Sequence, residues 1–473
     1  MFESLIETLE SSTGVRWSLS IWDFMIISVL LVVAIFFRSK VKFLQKWLIP
    51  NAIVAGLIGL VLGGEVLGRF LGFYVPTHYL TDYPYHLLNI TFCCIPLASK
   101  FSAARYKNSG LSTGLTISFT QMTQVGIGVG IALIFVLAGF QISPLMGTLF
   151  MFGFGTGPGQ ASAVGSAYSR MGLLPPEVGK ELGLSFGALG YVFAIIFAIP
   201  LINWGIRRGY AMVKEVPAHV RKGLIKNDCD RPISGKCTSA TEAIDTLTMQ
   251  VAMVLFVYLL STLIYLGLLE VLPYSVSVYL GAFLYMICAI VSMCFKSILD
   301  RLDLSYLLDP GNQRRIGGIC TDMIVVSAVA ALPIGTLIAY AGPFFAIAIG
   351  GGVFTLIISM WLHKRVFADH QFERLIFNYG THTGTAMTGT ALMRVIDPEQ
   401  KSQAPSDYVM GMPLALGFQL IVVLLGGWLM SSNGSGAQYL LIIVLVAALV
   451  WVIWPATGLW RSYRPIWKLW PDD

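Results

Sequence analysis

The sequence predicts an all-α integral membrane protein, an inverted repeat of two five-helix halves, each with a re-entrant hairpin, plus an extra C-terminal transmembrane helix. Three observations carry this expectation: long apolar runs with few charges, two Gly- and Thr-rich segments unfit to be ordinary spans, and an internal repeat.

Of the 473 residues, 56% are hydrophobic and 12% charged, with a mean hydropathy of +0.74. That leaves too little polar surface for a water-soluble globule, so a lipid bilayer is the expected surrounding. A hydrocarbon core of roughly 30 Å takes about 20 apolar residues per helix. Runs of this kind lie at 22–37, 49–74, 86–103, 115–140 and 181–206, then at 248–269, 275–296, 316–334, 335–362, 407–430 and 438–457. Residues 1–21 carry Glu3, Glu7 and Glu10 and lack the basic stretch of a signal peptide, so they read as an extracytoplasmic segment before a retained first span.

Segments 145–171 and 372–395 are apolar enough to enter a membrane but crowded with Gly, Thr, Ser and Pro, and both read as re-entrant hairpins. With hairpins that do not cross and an outside N-terminus, four of the 31 Lys and Arg residues (Arg16, Arg69, Arg170 and Lys180) fall outside and the other 27 inside. The formal net charge of +6 therefore reads as membrane orientation, with no nucleic-acid partner expected.

The repeat has an offset of 227 residues: 22–37 maps onto 249–264, and Gly153, Thr156 and Gly157 map onto Gly380, Thr383 and Gly384. An odd number of spans per half makes the second half enter the membrane with opposite polarity. The halves are then 22–206 and 248–430, joined by a cytoplasmic linker at 207–247, with 431–473 as an added span and cytoplasmic tail. Trp451, Trp454, Trp460, Trp467 and Trp470 read as interfacial anchors of that tail.

The candidate chemistry lies in the hairpins. Half-helices of about 10 residues rise roughly 15 Å, to the bilayer midplane. There, free N–H groups at half-helix N-termini favour an anionic carboxylate, while unwound carbonyls and hydroxyls suit Na⁺. The candidate substrate-binding residues are Gly155, Thr156, Gly157, Gln160, Ser162, Asn378, Thr381, His382, Thr383, Gly384, Thr385 and Arg394. Thr156, Thr383, Thr385 and Asp322 are the candidate Na⁺ ligands, with no organic cofactor expected. The bland alternatives stay open: the glycines as helix-packing faces, Arg394 as an interfacial anchor, His382 as a structural imidazole, and Asp322 paired with Arg315 two turns away. Gln121 and Gln124, one helical turn apart in an apolar run, are expected to hydrogen-bond between helices. No His-Glu-x-x-His, Cys-x-x-Cys, Walker loop or Gly-x-Ser-x-Gly elbow occurs, which argues against an enzyme. A channel or receptor fits paired hairpins less well than a carrier does.

From about residue 22 to 430 the chain resembles the bacterial sodium/glutamate symporters. Ile49-Pro50-Asn51-Ala52-Ile53-Val54-Ala55-Gly56 is similar to that family's early Ile-Pro-Glu-Pro-Val-Ala-Gly-Gly stretch. Gly153-Phe154-Gly155-Thr156-Gly157 and Gly380 to Thr388 are similar to its Gly-His-Gly-Thr-Gly and Gly-Phe-Gly-Leu-Gly-Ala-Thr-Pro-Thr motifs. The chain departs from the pattern at Phe154 (family His), His382 (family Gly) and Met387 (family Pro). The resemblance implies Na⁺-coupled symport of glutamate or a related small carboxylate in the bacterial inner membrane, by a homodimer working as an elevator. A sodium- or proton-coupled carrier of another organic anion, of the 2-hydroxycarboxylate type, is the alternative.

Overall fold

The computed structural model describes residues 19–71, 76–99, 109–213, 223, 225, 235–398, 401–432, 434–456 and 469–470. The segment before Leu19, most of the linker, Trp460 and Trp467 lie outside the described residues. The first half supplies α1 (Leu19–Lys40), α2 (Asn51–Leu62), α3 (Tyr83–Leu97), α4 (Leu111–Leu137), α5 (Met146–Thr156), α6 (Pro158–Arg170) and α7 (Val178–Arg208). The second supplies α8 (Thr246–Val271), α9 (Tyr274–Ala282), α10 (Leu284–Arg301), α11 (Pro310–Ala330), α12 (Ile334–Ala339), α13 (Ala341–Val366), α14 (Gln371–His382), α15 (Ala386–Met393) and α16 (Ala404–Ser431), with α17 (Gly436–Ala456) after it. No strand occurs among the described residues.

Adding 227 to the first residues of α1 and α3 gives 246 and 310, where α8 and α11 begin. The same shift brings the starts of α6 and α7 to 385 and 405, each one residue from the starts of α15 and α16. Helix ends follow local chemistry. Asp245 and Asp309 cap α8 and α11 by accepting the N–H groups of Thr248 and Asn312 at 2.7 and 2.8 Å. Gly209 closes α7 in the left-handed region at φ +73°, which glycine adopts without a Cβ clash.

Among the described residues six helices are long and apolar enough to cross a membrane (α1, α4, α7, α8, α13 and α16), or seven if α9 and α10 form one bent span. The other four of the eleven expected spans fall on α2 and α3, which are shorter, on α11, which is more polar, and on α17. Two expected spans differ in shape. The run at 49–74 is α-helical to Leu62, breaks at Gly63-Gly64, where Gly63 turns extended, and resumes only as a single helical turn at Gly68–Leu71. The run at 275–296 bends by 69° at Phe283. Apolar side chains such as Val29, Val32 and Phe36 on α1, and Leu259 and Leu263 on α8, are more than half exposed and face outward, as in contact with lipid. Trp454 is instead buried against Leu362, Val366 and Phe367, so it packs in the protein rather than at an interface.

The helices form two bundles. In one, α1 and α11 pack on α2, while α3 lies between α10 and α11 and α8 lies along α10. In the other, α4 packs on α5, α13, α16 and α17, and α7 packs on both arms of the α5–α6 hairpin. The α14–α15 hairpin sits in this second bundle against α13 and α7. The bundles touch where α6 meets α3 and α9, and where α7 meets α11 and α12.

Candidate functional site

Both Gly/Thr segments are broken helices. The first breaks at Gly157, whose φ of +92° and ψ of 178° are open to glycine, and Pro158 then occupies the first turn of α6, where its missing N–H costs nothing. The second breaks across Thr383 to Thr385, and the Thr385 hydroxyl caps α15 by accepting the Thr388 N–H at 3.4 Å.

The two breaks meet. A Cβ placed on Gly157 would lie 2.8 Å from Thr385 Cγ2, 3.5 Å from the Gly384 carbonyl and 3.4 Å from the Tyr191 hydroxyl. A Cβ on Gly190 would stand 2.7 Å from the Thr383 carbonyl, so α7 approaches the second tip as closely as backbone allows. The N-termini of α6 and α15 and the C-termini of α5 and α14 thus converge on one region, bringing helix-end N–H and C=O groups together.

Gly155, Thr156, Gly157, Thr383 and Gly384 are buried at this junction, and Thr385 is half-buried. The Thr156, Thr381 and Thr383 hydroxyls donate to carbonyls one turn back (Phe152, Phe377 and Tyr379) at 2.7, 2.9 and 2.8 Å. Their oxygens therefore keep lone pairs for a cation. Ser162 lies deeper in α6 and donates to the Gly159 carbonyl at 3.0 Å.

His382, Asn378 and Gln160 are support rather than surface. His382 donates through Nδ1 to the Asn378 carbonyl, Asn378 donates to His363 Nε2, and His363 donates to the Ser359 carbonyl, each at 2.7 Å. All three side chains are at most 1% exposed. Gln160 is fully buried and reaches Gln419 at 3.4 Å. The glycines also pack closely: Gly153 lies on Phe186 and Gly187, and Gly380 on Gly389. Packing and helix breaking are thus both uses of these residues.

Asp322 forms no ion pair with Arg315. It is exposed on the face of α11 that carries Gly318 beside Met387, and it interacts electrostatically with Tyr191. Arg394 does not join the tips. It follows α15 at an exposed position, roughly 13 Å of helix rise from Thr385, and feels the charge of Arg314 on α11.

At the other end, α7 is tied across the bundle boundary. Lys180 pairs with Asp82 at 2.8 Å, and Thr336 donates to Glu181. Between these ties lies a cavity of about 390 Å³ lined by Glu65, Thr77, Lys180 and Glu181 together with apolar residues such as Leu60 and Leu184.

Tyr191, His363, Thr355, Tyr285 and Gln419 complete the site's surroundings and were not singled out in the sequence. An amide alone in an apolar run, as Gln419 is, was the available signal.

These features define a polytopic helical membrane protein organised around two broken-helix hairpins that meet tip to tip. The sodium/glutamate symporter family model matches residues 18–396, and the chain belongs to that family. No curated protein and no solved structure matches it.

Proposed function

We propose that this protein is a sodium-coupled symporter of glutamate or a related small carboxylate, working by alternating access. The observation that carries the reading is the meeting of the two broken hairpins at Gly157 and Thr385. Paired discontinuous helices at mid-membrane are how secondary carriers present helix dipoles to an anion and free carbonyls to Na⁺ without exposing backbone to lipid. Family membership supports Na⁺ as the coupling ion and glutamate as the substrate class.

In this reading Na⁺ binds first, to tip carbonyls and to the hydroxyls of Thr156, Thr383 and Thr385, with Asp322 adding negative charge nearby. The bound cation orders the tips, and the first N–H groups of α6 and α15 then receive the carboxylate. Arg394 and Arg314 act at the mouth between α11 and α15, where two guanidinium groups attract an anion before it reaches the tips. The halves 22–206 and 248–430 have opposite polarity, with the N-terminus outside and the C-terminus in the cytoplasm. The recurrence of helix starts at the 227-residue offset supports this. The hairpin-bearing bundle slides as an elevator against the other bundle in a homodimer. Phe154, His382 and Met387, which depart from the family pattern, favour a related carboxylate as the second reading of the substrate.

Proteoliposomes test the proposal. Labelled glutamate is expected to accumulate under an inward Na⁺ gradient and to be displaced by the true substrate in a panel of aspartate, malate, citrate and neutral amino acids. Carboxylate uptake indifferent to the Na⁺ gradient, with Thr383→Ala behaving like wild type, would sink it.

A further inference from the structure

Helix α4 is apolar except for a few hydroxyls and two amides, Gln121 and Gln124, which lie three residues apart and share a face. Both are buried, at 4% and 2% exposure. A buried amide left unpaired costs about 1–3 kcal/mol per group, so their partners bear on why they are there.

Gln124 Nε2 donates to the His382 carbonyl at 2.9 Å and to Thr355 Oγ1 at 3.1 Å. Thr355 spends its own proton on the Gly351 carbonyl at 2.8 Å, so towards Gln124 it accepts. Both partners being acceptors, the orientation of the amide is settled. Its Oε1 then faces the first hairpin, 3.4 Å from where a Cβ on Gly155 would sit.

Gln121 works toward the first hairpin. Its Oε1 accepts from Gln419 Nε2 at 3.0 Å, and Gln419 Oε1 accepts from Tyr285 at 2.7 Å and from Gln160 Nε2 at 3.4 Å. Gln160 stands in the first turn of α6, directly after the break at Gly157. Tyr285 belongs to α10, in the other bundle.

We propose that α4 carries a two-armed clamp in which Gln124 positions the tip of the second hairpin and Gln121, through Gln419 held in turn by Tyr285, positions Gln160 at the tip of the first. The arms differ in one respect. The Gln124 arm lies wholly inside the hairpin-bearing bundle, whereas the Gln121 arm is anchored across the boundary at Tyr285. Displacing the bundles relative to each other therefore breaks the Tyr285 bond to Gln419, loosening the amide that holds the first tip, and leaves the second arm untouched. These are positioning residues. Their effect on transport rests on the hairpin tips being the ion and substrate site, while their effect on tip order does not.

Hydrogen–deuterium exchange of the full-length protein in lipid nanodiscs separates the two. Gln124→Ala is expected to speed exchange in the peptide 380–388 about tenfold, the worth of one buried hydrogen bond, and to leave 153–162 within about twofold. Gln121→Ala and Tyr285→Phe are expected to do the reverse. Tyr285→Phe removes a single oxygen, and Gln124→Glu keeps the shape while losing the donor, so the comparison survives if an alanine variant fails to fold. Equal acceleration of both tips by each variant, or of neither, overturns the clamp. Retained exchange asymmetry in a protein whose uptake ignores Na⁺ would overturn the symport reading and leave the clamp standing. In the transport assay the clamp variants are expected to raise the Na⁺ half-saturation while keeping turnover at saturating Na⁺.

Discussion

The Arg374 guanidinium in the first turn of α14 donates to the Asp407 carboxylate in the first turn of α16 at 2.7 Å, with the two side chains 4% and 0% exposed. Arg374 also reaches Asp369 at 3.3 Å and lies over the Phe367 ring, 4.9 Å from its centroid. The pair pins the start of the second hairpin to the start of α16. Removing Asp407 leaves the buried guanidinium only the longer carboxylate contact, to the exposed Asp369, so Asp407→Ala is expected to destabilise the fold by about 3 kcal/mol. Thermal unfolding in detergent, read beside a charge-free Arg374→Met/Asp407→Leu variant that loses less, checks it.

Lys180 and Asp82 make the opposite case, since the Asp82 side chain is 74% exposed and water screens the pair. Asp82→Asn is expected to move the melting midpoint by less than about 2 °C, because such bridges contribute under about 1 kcal/mol. Its visible effect should be on transport rate and on the dependence of that rate on ionic strength, because the bridge spans the bundle boundary.

Gly157 takes a conformation that L residues rarely adopt, and a methyl there would meet Thr385 Cγ2 at 2.8 Å. Gly157→Ala is expected to fold, with a local strain of about 1–3 kcal/mol, yet to lose sodium-driven uptake more than about tenfold. Size-exclusion profiles alongside uptake separate the two effects.

Thr383→Val keeps the shape and removes the hydroxyl at the second break. If that oxygen is a Na⁺ ligand, the Na⁺ half-saturation is expected to rise about tenfold, the equivalent of about 1.4 kcal/mol. Thr390→Val, one turn along α15 and donating to the Ala386 carbonyl at 2.8 Å, should leave it unchanged.

Asp245 accepts the Thr248 N–H and hydroxyl at 2.7 and 2.8 Å, and these bonds hold its carboxyl below the ordinary value of 3.8. A lowered folded-state value means the cap's stabilisation is complete above the unfolded pKa and disappears as the pH falls through the folded one. Asp245→Asn, which still caps but does not titrate, should show a flatter melting midpoint between about pH 5 and 2 than wild type does.

Much of the architecture was legible because it rests on local pattern. The runs of apolar residues, the two Gly/Thr segments and the 227-residue offset are properties of residue order, and that offset brings helix starts onto those of α8 and α11 and to within one residue of α15 and α16. The bend at Phe283 and the early end of α2 were not legible, because hydropathy is blind to direction. The candidate site divided in the same way. Gly157, Gly384 and Thr385, singled out by their residue types, lie against one another in the fold. Arg394 was placed among them by its charge, and it stands at an exposed position about 13 Å of helix rise from Thr385.

By itself the sequence determined that this chain lives in lipid and where its helices must break. Hydrophobicity, glycine's freedom at positive φ and proline's missing N–H act within a few residues of where they occur. Only the tertiary structure decided what the breaks face. Gly157 meets Thr385 across more than two hundred residues, and Gln124 joins α4 to the His382 carbonyl. Such contacts depend on how helices pack, and side-chain packing is a property of distance in space that residue order does not record.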